Sequence, residues 1–305
     1  MASSDKATWS AILVIGLIDI VWSANSRLTF VGVWPAVAFA AGMIGLAVWL
    51  RLSGRMLPFA RMVHYTAMWF CLMGFVGVLS YLAASVGAPL RDDDFARLDA
   101  ALGFDWQSMY VWLSTRPSIE FLLTLIYMTF LPQVVGTVAL LAWSGEERVC
   151  SEFLAALLLS AVTVVAISGI LPAFGPCAKL QGGLPQLIDS IPHVAALRSG
   201  APLVIPLGEM KGIVSFPSFH TVAALLLIYA HRRGRRLFAG SVLLNGVMLF
   251  CIPRAGGHYL VDVLAGAAVA GLVILLARLT PAAFWRSEGG LDAVPAGEAA
   301  FEGRI

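Results

Sequence analysis

Charge is what this chain has least of. Asp, Glu, Lys and Arg make up 12% of its 305 residues, against about 25% in soluble domains. Hydrophobic residues make up 59%, and the mean hydropathy is +0.86. A soluble globule could not hide that much apolar surface, so the composition excludes one and implies a polytopic membrane protein. Cysteine is scarce as well. Cys71, Cys150, Cys177 and Cys251 show no CxxC or other metal-ligand spacing, and three lie in or beside apolar segments. They read as packing residues, with no structural disulfide or zinc site implied. The formal net charge of +2 says little about partners, and no nucleic-acid partner is expected. A convincing signal-peptide cleavage site is also lacking, so the first apolar stretch reads as a retained span.

Apolar stretches are abundant. Eight are long enough to be candidate spans at about 20 residues each: 9–25, 32–51, 63–87, 118–143, 149–172, 216–231, 236–253 and 258–279. The expected fold is all-α, a polytopic transmembrane helical bundle. The first span contains Asp19, which is expected to make a local helix–helix hydrogen bond. Basic residues set the orientation. Arg51, Arg55 and Arg61 lie between the second and third spans, and Arg232, Arg233, Arg235 and Arg236 between the sixth and seventh. The positive-inside rule places both turns in the cytoplasm. Both termini are then cytoplasmic, and the 88–117 loop, the 173–215 loop and the 254–258 turn lie outside. The stretch after Phe284, rich in Gly, Ala and Glu, is expected to be disordered.

Two outer loops carry most of the polar residues. In 88–117, Leu98, Leu102, Trp106 and Tyr110 recur at roughly helical spacing, which suggests a helix lying in the interface. The run Asp92-Asp93-Asp94 suits the first turn of that helix; the other reading is a divalent-metal motif like those of polyprenyl-dependent glycosyltransferases. The 173–215 loop is too long and too rich in Pro and Gly for a plain connector. It carries Lys179, His193, Arg198 and Lys211, and His193 reads as structural or solvated.

Residues 212–266 organise the rest. They run from a polar segment into an apolar span, a basic turn, a second apolar span and the start of a third. His220 and His258 stand at the two polar ends, which an outgoing and a returning span place on the same membrane face. Asp262 follows His258 by four residues, so the two share a helix face. Its carboxylate can fix the imidazole tautomer and support positive charge on the ring. Pro217 suits a first helical position, and a helix start beside Ser218 offers N–H donors to phosphate.

Phe216-Pro217-Ser218-Phe219-His220 and Gly256-Gly257-His258-Tyr259-Leu260-Val261-Asp262 resemble the second and third motifs of the type 2 phosphatidic acid phosphatase superfamily. They are most similar to its inositol phosphorylceramide synthase-like, or inositolphosphotransferase, branch. The resemblance implies a six-helix core over residues 62–280, preceded by two helices in 1–61 and followed by a cytoplasmic tail in 281–305. It also implies that His258 is the nucleophile, that Asp262 orients it, and that His220 protonates the leaving group. The expected activity is that of a metal-independent lipid phosphatase or phosphotransferase. It would act through a phosphohistidine on a lipid phosphate or phospholipid at the extracytoplasmic face of a bilayer, with no cofactor.

The superfamily's usual cations are missing. Ile252 stands where the third motif carries Arg, and Leu171-Pro172 to Gly175-Pro176 ends a span where Arg-Pro is usual. A phosphate still needs fixed cations. Arg198 is the leading replacement, with Lys211 and Arg254 behind it, and Ser218 completes the expected phosphate contacts. Transfer of a phosphoinositol-type head group to a lipid alcohol is the other outcome of the same chemistry. A polyprenyl-dependent glycosyltransferase, using Asp92–Asp94, is the alternative of another class.

Overall fold

The computed structural model describes residues 2–179 and 190–285. Most of the expected tail, 286–305, lies outside the described residues. Seven helical stretches among the described residues are long and apolar enough to cross a membrane, with Pro117–Trp143 counted as one. This is an all-α membrane helical bundle.

The chain opens with α1 (Ser3–Ala24), a short strand β1 (Leu28–Val31), α2 (Val33–Leu52) and α3 (Leu57–Ser85). Two shorter helices follow, α4 (Asp92–Ala101) and α5 (Trp106–Ser114). Then come α6 (Pro117–Met128), α7 (Phe130–Trp143) and α8 (Glu147–Ile170). The long loop after α8 contains α9 (Ser190–Arg198) and strand β2 (Leu203–Pro206). It leads into α10 (Phe219–Ala230), α11 (Arg235–Ala255) and α12 (Leu260–Leu279).

The expected span 118–143 is broken at Thr129, between α6 and α7. Pro132 explains the break. It has no N–H to bond the Met128 carbonyl, and its ring clashes with a helix continued through that carbonyl, whereas it is tolerated in a first turn. The Thr129 hydroxyl donates to the Ile126 carbonyl and accepts from Gln133 Nε2, which closes the joint.

The core gathers around α10. Its Val222, Ala223, Leu226 and Leu227 are fully buried, which takes in more than one helix face. It packs on α8, whose Leu154 and Leu157 share one buried cluster with it, and the same cluster takes in Tyr65, Met68 and Leu72 of α3, which packs on α8 in turn. Their spacing of three, four or seven keeps them on one stripe of each helix. At 12 residues α10 is about 18 Å long, shorter than a bilayer's ~30 Å core. On the periphery, α2 buries only Ala47 and Leu50, and its Trp34 is 81% exposed, as suits a helix facing hydrocarbon.

One feature had no warning in the hydropathy. β1 and β2 pair in parallel, Leu28 opposite Leu203 through Val31 opposite Pro206. This stitches the connection between the first two spans to the long loop that follows α8.

Candidate active site

The site forms where α10 and α12 begin. Gly266 lets the helices meet, because a Cβ there would lie 2.5 Å from the Ser218 carbonyl oxygen. Ser218 caps α10: its N–H donates to the Asp262 carbonyl at 3.0 Å, and its hydroxyl accepts from Thr221 N at 3.4 Å. Ser218 is fully buried and does not line the cavity described below.

Asp262 is fully buried at the start of α12. Its Oδ2 accepts from Tyr259 N at 3.0 Å and from the Ser215 hydroxyl at 3.0 Å, and it lies 3.2 Å from His258 Nδ1. Three groups thus converge on one carboxylate oxygen. With Nδ1 engaged, Nε2 is the ring nitrogen of His258 left for chemistry. The His220 ring lies 6.5 Å from the His258 ring, centroid to centroid. Both line a cavity of about 470 Å³.

The break at Thr129 gives His220 its surroundings. Tyr127, the last turn of α6, stacks on the His220 ring at 4.6 Å, with its hydroxyl 3.4 Å from Nδ1. Phe130, the first residue of α7, lies 4.4 Å from the same ring. Sequence reasoning missed Tyr127, and the signal that could have found it is Pro132.

Helix α4 fastens both walls of the site. Asp99 accepts from Leu260 N and Val261 N at 2.8 and 2.9 Å, so it caps the start of α12 from a separate helix. Burial raises its carboxyl above the ordinary carboxylate range, against the lowering by these two N–H groups. Asp92 accepts from Phe174 N and Gly175 N, and from the Tyr259 hydroxyl at 3.3 Å. Asp94 pairs with Arg91 and Arg97. Asp92 and Asp94 are therefore engaged with the protein, and no group of His, Cys, Asp and Glu suited to a metal occurs among the described residues. Gly175 has φ +92°, and a Cβ there would lie 2.3 Å from the Gly257 carbonyl oxygen, so the loop presses directly on the His258 turn.

The four expected phosphate contacts separate. Lys211 lines the cavity with the two histidines, and its backbone N–H donates to the Tyr81 hydroxyl at 2.7 Å. Arg198 instead donates to the Ala88 carbonyl at 2.6 Å and does not line the cavity. Arg254 is 5% exposed, pairs with Glu120 and lies 4.5 Å over the Tyr110 ring. It too is outside the lining, although Ala255 to His258 belong to it. The Lys179 side chain lies outside what is described. His193 packs edge-on against Tyr81, 5.6 Å between centroids.

A family model described as the PAP2 superfamily matches residues 93–276, more than half of the chain. The chain belongs to the PAP2 superfamily. Members of this superfamily are phosphatases or phosphotransferases. No curated protein matches the chain, and no solved structure does. The matched segment of this PAP2 protein runs from α4 into α12. It therefore contains His220, His258 and Asp262, while α1 to α3 precede it.

Proposed function

We propose that this PAP2 protein is a metal-independent membrane phosphatase or phosphotransferase. It acts on an amphiphilic phosphate ester through a phosphohistidine. The observation that carries the reading is one cavity holding His220 opposite His258, with His258 oriented by Asp262.

His258 Nε2 attacks phosphorus as its Nδ1 proton stays hydrogen-bonded to Asp262. The P–O bond to the leaving alcohol breaks, and His220, protonated, delivers a proton to the departing oxygen. The phosphoryl oxygens are met by Lys211 and by the N–H groups at the start of α10. Water or a lipid alcohol then attacks the phosphohistidine, which gives hydrolysis or transfer. The motif form of the inositolphosphotransferase-like branch supports transfer of a phosphoinositol-type head group as the variant of the same chemistry. Lys211 takes the role first expected of Arg198 because it lines the cavity and Arg198 does not.

The catalytic face is proposed to be extracytoplasmic. Support comes from the arginine-rich turns 51–61 and 232–236, which belong on the cytoplasmic side. An impermeant thiol reagent on intact cells should label a cysteine placed at Ser199 and spare one placed at Gly234. The reverse pattern would overturn the orientation.

The deciding experiment is trapping. Purified protein is mixed with lipid phosphate labelled at phosphorus and quenched in base. An acid-labile, base-stable label on the His258 peptide is expected, with free phosphate and phosphorylated lipid products measured separately. Turnover without any such label, on any substrate of the panel, would rule out the phosphohistidine.

A further inference from the structure

The cavity has a second arm that the phosphoryl chemistry does not use. On one side α3 contributes Met73, Val76, Gly77 and Ser80, spaced as one stripe of a helix. On the other side α8 contributes Ala161, Val164 and Val165, again one stripe. No charged side chain belongs to either stripe. The one hydroxyl, that of Ser80, donates to the Gly77 carbonyl at 2.6 Å and so is occupied by its own helix. From Ser80 to Met73 the arm runs about 10 Å along α3. Val76, Ala161, Val164 and Val165 are all buried, so the arm is interior space and not a furrow on the lipid-facing surface.

A space with such walls offers water little beyond the Ser80 oxygen and favours hydrocarbon. It is continuous with the cavity that holds His220, His258 and Lys211. A molecule with phosphate at the histidines and an alkyl chain would place that chain here. The α3 wall also lies before the matched PAP2 segment, which begins at residue 93. Half of the arm is therefore built by the N-terminal part of this chain.

We propose that the arm between α3 and α8 seats the hydrocarbon chain of the substrate, and that Gly77 sets how much chain it admits. The proposal deepens the phosphatase or phosphotransferase reading and rests on it for the position of the phosphate. Gly77 is the one residue of the α3 stripe with no side chain. A Cβ there would lie 3.3 Å from Met210 Cε, the movable end of a flexible side chain. Alanine therefore asks Met210 Cε to give by only a few tenths of an ångström, whereas leucine adds volume at a position that lines the arm.

The test uses the full-length protein and two readouts. First, hexadecyl phosphate carrying a diazirine at the middle of its chain is photolysed on the protein, and the labelled peptides are mapped. Label is expected on residues 73–80 and 161–165, displaced by unlabelled hexadecyl phosphate and not by butyl phosphate. Label elsewhere, or label that hexadecyl phosphate does not displace, overturns the arm whether or not the protein turns over. Second, kcat/KM is measured for hexadecyl and butyl esters, both as phosphate monoesters and as 4-nitrophenyl phosphodiesters. Gly77→Leu should lower the long-to-short ratio at least about tenfold, and Val165→Phe, from the opposite wall, should lower it in the same direction. Gly77→Ala should shift it least. An unchanged ratio in both larger variants sinks the proposal. Displaceable label in the arm without turnover of any ester keeps the arm and instead removes the phosphatase or phosphotransferase reading.

Discussion

The two ends of α10 are held in opposite ways. Near His231, acids meet arginines. Glu152, only 4% exposed, accepts from the Tyr229 hydroxyl at 2.6 Å and from Arg232 at 2.8 Å. Arg233 pairs with Glu146, and Arg61 with Glu147. Near Phe219, carboxylates meet backbone N–H groups and an imidazole. Asp262, Asp99 and Asp92 each accept from the main chain, and Arg198 and Arg254 are held outside the cavity by an Ala88 carbonyl and by Glu120. One end neutralises charge within the protein. The other turns its acids on main-chain N–H groups and on the His258 ring, beside the cavity that His220, His258 and Lys211 line.

The comparison fails most visibly if His258→Ala retains activity. That variant should lose essentially all turnover and the phosphorylated peptide. Asp262→Asn should lower kcat roughly 10²- to 10⁴-fold, because the imidazole loses its orienting charge. Rapid-quench kinetics would check both.

His220→Ala sharpens the roles within the site. A loss of roughly 10²-fold or more is expected on a lipid phosphate, with p-nitrophenyl phosphate largely spared, since its leaving group needs little protonation. Equal losses on the two substrates would remove the acid role.

The cations come next. Lys211→Ala should cost about 2–3 kcal/mol of transition-state binding, roughly 30- to 150-fold in kcat/KM. Arg198→Ala should change kcat/KM by less than about threefold while lowering thermal stability. The opposite order would show that the loop rearranges on substrate binding and brings Arg198 inward.

Tyr127→Phe keeps the ring stack and loses one hydroxyl. A two- to tenfold fall in kcat is expected, about 0.5–1.4 kcal/mol, with a displaced acidic limb in the pH–rate profile of the lipid substrate. The smallest kinetic effect belongs to the opposite end. Glu152→Gln should leave kcat/KM of the folded protein unchanged and destabilise it by about 1–3 kcal/mol in thermal unfolding. A kinetic loss there would break the division between the ends.

Much of this was legible in the sequence, and for physical reasons. Spans are written in continuous apolar runs, and an i, i+4 pair such as His258 and Asp262 needs only helical geometry to meet. The break at Thr129 was masked because the run 118–143 stays apolar through Pro132, and hydropathy does not register a missing N–H. Arg198 was placed on the correct loop, but its partner is the carbonyl of Ala88, more than a hundred residues away. Pairings of that kind leave no local signature. The same holds for Glu120 with Arg254, and for Asp99 with the start of α12. The acidic run in α4 read as a helix start; that it also fastens the site depends on contacts with residues 174, 175 and 259–261.

The parallel pairing of β1 with β2 changes what it would mean to trim this protein. Residues 1–61 look detachable, since they precede the segment that the PAP2 family model matches, which begins at residue 93. Removing them would also strip Leu28–Val31 from Leu203–Pro206. The shortened chain would then carry a bare strand edge in the loop that leads to Lys211 and His220, with amide and carbonyl groups ready to recruit a strand from another molecule. Aggregation of such a truncated core would then report the lost strand, and not the loss of two helices' worth of apolar packing.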